Sequence, residues 1–262
     1  MKLSIIVTNY KTPDLLKLCL ESIKQAGIGL DYEIFVVDSE AQEETEDVIK
    51  EYFAGSVSLI SFKENAGYAR LVNAGLAKAR GQYILVLNAD MILFKDSLEK
   101  MLQYMEKNSK AGMLGPQLLN FNGSIQDSCF RFYRPMTILY RRTFLGRTEK
   151  GKADLAGFLM KNFNHQTTKE IDWLLGAALF IRAQAFKEVG PMDERYFLYF
   201  EDVDWCRRFH QAGWQVIYFP EAKMHHYHGR VSKKDGGVKD VFFNKYAWIH
   251  IASGIKYFWK YR

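Results

Sequence analysis

Several things are scarce or missing in this 262-residue sequence. Its three cysteines, Cys19, Cys129 and Cys206, stand far apart with no CxxC spacing. This spacing argues against a structural zinc site and a disulfide framework, and a reducing, cytosolic setting is expected. With only five prolines and no window repeating at a fixed period, collagen-like, linker-like and solenoid organisations fall away. Long apolar runs are missing too. The longest uncharged stretch, residues 111–126, carries Gly, Pro, Asn and Gln and falls short of the ~18 apolar residues that a membrane-spanning helix needs. The opening MKLSIIVTNY is too short an apolar run, too soon followed by Lys11 and Asp14, for a secretory signal. It reads as a first strand, and the chain is expected not to span a membrane.

What is present fits one sizeable globular domain or two small ones, with 48% hydrophobic and 25% charged residues. The net charge of +6 is unevenly placed: residues 222–262 carry a net +7, residues 131–152 a net +6, and the remainder a net −7. Such asymmetry suggests that two basic stretches face an anionic surface while the body does something else.

Aliphatic runs at 3–7, 32–37, 57–62 and 83–87 alternate with helical spacing at 13–26, 43–53 and 67–80. This predicts an α/β fold with a Rossmann-like parallel sheet covered on both faces, which binds ligands at the carboxyl ends of its strands. The second half is less regular. It reads as a strand over 171–181, a short helix over 183–189, a helix over 199–212 entered through acidic residues, and a strand over 215–219. A looser insertion is expected at about 131–166, and from 241 onward a tail in which eight of 22 residues are aromatic.

The residues after each strand are polar and acidic: Thr8, Asn9 and Tyr10, then Asp38 and Ser39, then Asn65, then Asn88, Ala89 and Asp90. After the first strand, TNYKTPD contains no glycine, so neither the GxGxxG nor the GxxxxGK[ST] phosphate loop is present. Phosphate charge must be met otherwise, and an aspartate at a strand end suggests a metal. In FLYFEDVDWCRR, Glu201, Asp202 and Asp204 begin a helix among aromatic residues. A carboxylate kept anionic by the helix dipole, yet shielded from water, suits the removal of a proton from a hydroxyl. In MHHYHG, His225, His226 and His228 lie just past a strand. Imidazole with the carboxylate of Asp90 makes a mixed N/O set that suits Mn²⁺. Arg70 sits on a helix entered through Gly67, where free amides and a guanidinium could meet phosphate.

With these residues in view, SIIVTNY, VVDS, ENAGYARLVNAGL, LVLNAD, DWLLGAALFIR, FLYFEDVDWCRR and HYHG occur in the order found in family 2 glycosyltransferases of the GT-A fold. The chain resembles especially the bacterial rhamnosyltransferase branch, over roughly residues 3–232. The resemblance implies a glycosyltransferase domain over 1–240, with a nucleotide-binding half to about 120 and an acceptor-binding half beyond it, and an amphipathic aromatic, basic tail over 241–262. Asp38 would contact the nucleotide base or ribose, and Asp90 would be the surviving carboxylate of the DxD metal motif. Asn65, Arg70 and Asn73 would line the diphosphate side. Asp202 would be the base, His226 would sit near the metal and diphosphate, and Trp173, Gly176 and Glu201 would belong to the acceptor and sugar pocket. Asn88 departs from the aspartate of many relatives, which weakens the metal site. The implied reaction is an inverting displacement from a dTDP- or UDP-linked sugar, dTDP-rhamnose in the branch it most resembles, assisted by Mn²⁺ or Mg²⁺. The implied acceptor is a glycan or polyprenyl-linked glycan at the inner face of the cell membrane.

Two other classes compete. A nucleotidyltransferase would need a basic loop after the first strand, where only Lys11 is offered. A nucleic-acid binder would use the basic, aromatic stretches to stack on bases, but the acidic body repels phosphate, so no nucleic-acid partner is expected. The tail's aromatic residues with Lys245, Lys256, Lys260 and Arg262 fit a lipid interface. The alternatives for it are capping of the core or pairing of two subunits in a homodimer.

Overall fold

The strand that opens the chain, β1 (Leu3–Asn9), is buried along its whole length, as a strand covered on both faces must be. The computed structural model describes residues 1–26, 29, 31–227 and 245–262. After β1 come α1 (Pro13–Gln25), β2 (Tyr32–Ser39), α2 (Glu43–Tyr52), β3 (Ser58–Phe62), α3 (Tyr68–Leu76), β4 (Tyr83–Asn88), β5 (Met91–Leu93), α4 (Ser97–Lys107) and β6 (Ala111–Leu119). Then follow β7 (Cys129–Phe130), α5 (Pro135–Arg142), a 3-10 turn (Phe144–Arg147), α6 (Glu149–Phe158), β8 (Lys169–Glu170), β9 (Trp173–Leu174), β10 (Ala178–Arg182), α7 (Ala183–Val189), α8 (Glu201–Gln211), β11 (Gln215–His226) and α9 (Lys245–Lys260).

The main sheet runs β3-β2-β1-β4-β10-β6-β11-β5, with β8 added to β11, while β7 and β9 form a small separate pair. β1 to β4 are parallel. β10 runs antiparallel between β4 and β6, and β11 lies parallel to β6. Strands from both sequence halves thus interleave in one sheet, so no boundary at residue 120 divides it. Side chains alternate across β1. Leu3, Ile5 and Val7 join the apolar layer with Leu16, Leu20 and Met101, while Ile6 joins the opposite layer with Val72, Val203 and Trp205.

Three departures from the sequence pattern have physical causes. Residues 171–181 do not form one strand, because 175–177 leave the ladder between β9 and β10. Leu175 N–H donates to Ser128 O, Gly176 N–H to Asp202, and Ala177 O accepts from Asn88 N–H. The strand expected over 215–219 continues to His226 through an irregularity after Phe219, where Pro220 cannot donate to a ladder. The region 131–166 holds two helices rather than a loose insertion.

From Lys245 the tail is a helix whose inner face packs on the domain. Tyr257 is fully buried, and Ala247, His250, Ser253 and Gly254 are buried with it. Phe242 and Phe243 of the expected tail, like His228 and Gly229, lie outside the described residues.

Candidate active site

The parallel register sets the carboxyl ends of β1, β2 and β4 side by side, with Asn9 opposite Asp38 and Thr8 opposite Asn88. Side chains cross-link these ends: Thr8 Oγ1 donates to Asn88 Oδ1 at 3.2 Å, and Asn9 Nδ2 donates to Asp38 Oδ1 at 2.8 Å and to Thr45 Oγ1 at 3.2 Å. Above them opens a cleft, lined by Thr8, Asn9, Tyr10, Asn65, Asn88, Ala89 and Asp90 from the predicted set. Tyr68 from α3 and Tyr246 from α9 complete its walls. Asp38 lies behind Asn9 at 1% exposure. Burial pushes its pKa up, against the hydrogen bonds from Asn9 and Thr45.

The entrance to α3 is pinned to the loop before α8. Asn65 Oδ1 accepts from Gly67 N–H at 3.1 Å, and Tyr68 N–H donates to Phe197 O at 2.9 Å. Gly67 has φ +78°, and a Cβ there would stand 2.5 Å from Phe197 O, so both conformation and space demand glycine.

At the start of α8, Glu201 and Asp202 are buried, at 5% and 7% exposure. Asp202 Oδ2 accepts from Gly176 N–H at 3.0 Å and its Oδ1 from Val203 N–H at 2.8 Å. Desolvation nevertheless pushes its pKa up to about 6. Burial, and then the neighbouring Asp202 charge, push Glu201 well above the usual carboxylate range. Tyr68 OH donates to Gly176 O. Its pKa is raised well above the usual value, first by burial and then by the charges of Glu201, Asp202 and Asp90. One peptide unit, Gly176, thus joins the phenol of Tyr68 to the carboxylate of Asp202.

The backbone pays for this placement, since Tyr199 and Phe200 take φ of 67° and 71°, the left-handed region that costs a side-chain-bearing residue about 1–3 kcal/mol. Phe200 is held there by the rings of Tyr133, His250 and Tyr257, and Ser253 Oγ donates to Leu198 O at 3.0 Å. Asp204, which the sequence groups with the pair, faces elsewhere. It is fully buried in an ionic cluster with Arg208 at 2.9 Å, Lys260 at 2.6 Å and Tyr261 OH at 2.8 Å.

Asp90 and His226 meet across the cleft floor, with His226 Nε2 3.5 Å from Asp90 Oδ2. Asp90 Oδ1 is buried and has no hydrogen-bond partner among the described residues. An anionic oxygen in that state, beside an imidazole nitrogen, fits a divalent cation. Among the described residues no three His, Cys, Asp or Glu side chains cluster as a metal site. No Lys or Arg is among the described residues lining the cleft. His225 instead stacks on Phe121, with ring centres 5.0 Å apart.

Arg70, Asn73 and Trp173 are held away from the cleft by partners of their own. Arg70 is exposed, 3.8 Å from Glu194 and over the Phe62 ring. Asn73 donates to Met192 O and Glu194 and accepts from Met192 N–H, clamping the loop before α8. Trp173 is buried against Phe130, its indole N–H donating to Arg131 O. Conversely, sequence reasoning assigned no role to Tyr68 or Gln126, and placed Tyr246 only among the tail's aromatics. Tyr68 alone carried a signal, as an aromatic inside the glycine-entered motif that already named Asn65 and Arg70.

Residues 4–159 match the family model described as glycosyl transferase family 2. Over 219 residues the chain is 28% identical to the N-acetylglucosaminyl-diphospho-decaprenol L-rhamnosyltransferase of Mycobacterium tuberculosis, covering 78% of this chain and 70% of the relative. It is 25% identical to the rhamnosyltransferase WbbL of Escherichia coli over 97% of this chain and 91% of the relative. Among solved structures it is similar to GalNAc-T7 with UDP, GalNAc and Mn²⁺ (TM-score 0.61, 14% identity) and to S. aureus TarS (TM-score 0.59, 16% identity). Each similarity covers 86% of this chain, but 44% and 36% of those longer chains. The shared architecture is the GT-A fold.

Proposed function

The chain belongs to the family 2 glycosyltransferases, and from that premise we propose that it moves L-rhamnose from a dTDP- or UDP-linked donor onto a hydroxyl of a polyprenyl-linked glycan, in cell-surface polysaccharide synthesis. The observation that carries this reading is that Tyr68 and Asp90 line the cleft while Gly176 ties Tyr68 to the buried Asp202, accepting from the phenol at its O and donating its N–H to the carboxylate. Both rhamnosyltransferase relatives support the donor sugar, and the mycobacterial one, which acts on a decaprenyl-linked substrate, supports the lipid-linked acceptor.

The nucleotide lies over the ends of β1 and β2, against Asn9, Tyr10 and the Asp38–Asn9 pair, with its diphosphate toward Asn65, Asn88 and Asp90. Asp90 and His226 would hold a divalent ion, Mn²⁺ or Mg²⁺, which supplies positive charge for the departing diphosphate. Asp202 takes the proton of the acceptor hydroxyl as that oxygen attacks the anomeric carbon in an inverting displacement. Its two backbone N–H donors fix the carboxylate, while burial keeps it basic enough to accept a proton. Gly176 and Glu201 shape the acceptor side.

The acceptor end of the enzyme is proposed to rest on the inner leaflet of the cell membrane. On the outer face of α9, Trp248, Ile255 and Trp259 are each more than half exposed, and on α5 and the following turn Met136, Leu139 and Phe144 are exposed beside them. The two helices meet where Gly254 packs at Ile138. Basic residues flank both, and α9 also carries Tyr246 into the cleft, so a lipid-held acceptor would arrive where transfer occurs. Aromatic and basic residues together suit the headgroup layer. The joint variant Trp248→Ser, Ile255→Ser, Trp259→Ser is expected to lose flotation with anionic liposomes while keeping transfer to a water-soluble acceptor. Unchanged flotation overturns the membrane role, and a lowered oligomeric mass assigns the stripe to subunit pairing.

The donor is tested by thermal stabilisation with a panel of nucleotide sugars in the presence of Mn²⁺. A ligand at 100 times its dissociation constant adds about 2.7 kcal/mol. The expected result is stabilisation by dTDP-rhamnose above other sugars; a panel without any response refutes the donor assignment.

A further inference from the structure

Gln126 lies outside the cleft lining, yet it makes a two-way bond with His226. Gln126 Nε2 donates to His226 O at 2.9 Å and to Asn120 Oδ1 at 2.8 Å, while His226 Nδ1 lies 2.9 Å from Gln126 Oε1. The orientation of this amide follows from its neighbours. A backbone carbonyl only accepts, so the Gln126 atom facing His226 O must be the nitrogen. The Asn120 partner agrees: Asn120 Nδ2 donates to Ser124 Oγ at 2.8 Å, and that hydroxyl donates to Asn122 Oδ1 at 2.7 Å, which leaves Asn120 Oδ1 as an acceptor. The remaining Gln126 atom is therefore a carbonyl oxygen, and His226 Nδ1 must bring the proton.

In neutral imidazole a proton on Nδ1 leaves the lone pair on Nε2, the nitrogen that faces the Asp90 carboxylate at 3.5 Å. Without Gln126, the favoured arrangement would put the proton on Nε2 and donate it to Asp90, closing both atoms to a cation. The backbone holds the clamp in place: Gln126 N–H donates to Leu118 O at 2.9 Å, in the hairpin that follows β6, and β11 pairs with β6 as far as His225 opposite Leu119.

We propose that Gln126 is a positioning residue that fixes the Nδ1–H tautomer of His226, so that Nε2 and the Asp90 carboxylate together present a divalent-cation edge to the donor diphosphate. The inference rests on the assignment of Asp90 and His226 to the metal, and it deepens that assignment by naming the residue that selects the ligating nitrogen. Partners of this kind typically change metal affinity by about 10–100-fold when removed.

The test uses the full chain and two measurements. Ring ¹⁵N shifts of His226 in metal-free protein, without donor or acceptor, are expected to show Nδ1 protonated and Nε2 bare in the wild type, and a shift toward Nε2–H in Gln126→Leu. Titration with Mn²⁺ alone, followed by its paramagnetic resonance, is expected to show affinity about 10–100-fold weaker in Gln126→Leu. In Asn120→Ala, which loosens the same hairpin but leaves the Gln126–His226 pair, affinity should stay within about twofold. A wild-type ring protonated on Nε2 overturns the proposal even if the leucine variant fails to fold. Equal Mn²⁺ affinity in wild type and Gln126→Leu overturns it as well, as does an equal loss in Asn120→Ala. Because the shifts are read without any sugar nucleotide, they stand or fall separately from the transfer assay.

Discussion

Asp90 and Asp202 are the same residue type, one on the cleft lining and one bonded to Gly176, and their surroundings differ. Asp90 lies in the turn between β4 and β5 on the cleft lining, with one oxygen facing an imidazole and the other unpartnered among the described residues. That is an environment that asks for positive charge. Asp202 begins α8 in a dry, aromatic-walled setting. Both of its oxygens accept backbone N–H bonds, and its pKa still rises to about 6. On the proposed division of roles, charge near a leaving group and basicity near a nucleophile come from opposite treatments of one carboxylate: leave it short of partners, or satisfy it and dry it out.

The sharpest way to break this contrast is at Asp202. Asp202→Asn should lower kcat by about 10²–10⁴ and leave nucleoside diphosphate binding within a few-fold. The amide can accept from only one of the two N–H donors now served, so thermal unfolding is measured alongside. Retained activity above half would move the proton transfer to Glu201, since Asp204 is committed to Arg208, Lys260 and Tyr261.

At Asp90 the opposite pattern is expected. Asp90→Ala should weaken both Mn²⁺ and nucleoside diphosphate binding by at least the ~10–100-fold typical of residues that only support a metal ligand, and a chelator should do the same to the wild type. If the chelator changes neither binding nor turnover, Asp90 has no metal role and the two carboxylates are not divided as argued.

The pH profile sharpens the division. A base works only when ionised, so transfer should fall about tenfold per unit below pH about 6, and the limb should vanish in Asp202→Asn. The sign for stability is the reverse. A carboxyl whose folded pKa is raised contributes its stability when protonated, below its ordinary value of about 3.9, and that contribution is lost as pH rises through about 6. Glu201 acts in the same direction. An acidic limb that survives unchanged in Asp202→Asn would assign the titration to another group.

The smallest effect is expected at Gly176, whose added Cβ would stand 3.3 Å from Asp202 Cβ and 3.4 Å from the Tyr68 ring. Gly176→Ala should displace the carboxylate by a few tenths of an ångström and cost a few-fold in kcat, given about 10²-fold for a misplacement near 1 Å. An unchanged kcat would show that Asp202 tolerates looser placement than the two N–H bonds suggest.

The alternating strands and helices of the first half, the polar strand ends and the acidic start of α8 were all legible along the chain. Each is a local matter of periodicity, strand-end chemistry or helix-entry charge, read within a window of a dozen residues. The sequence motif that implicated Arg70 and Asn73 also runs along one helix, but a helix sends successive residues in different directions. Asn73 therefore clamps the loop at Met192 and Arg70 turns to Glu194, while Tyr68 reaches the carboxylates.

Determined by sequence alone, then, were the α/β order, the polar strand ends that make the cleft floor, and the acidic entry to α8. Left to the tertiary structure were the partnerships between distant segments. Gln126 meets His226 100 residues away. Gly176 turns its backbone to both Tyr68 and Asp202, which breaks the strand that periodicity predicts. Helix α9 divides its aromatic residues, burying Tyr257 behind the strained Phe200 and leaving Trp248 and Trp259 outside. A residue's type and spacing fix which contacts it can make, but burial, the number of hydrogen-bond partners and the resulting pKa depend on what the rest of the fold lays against it.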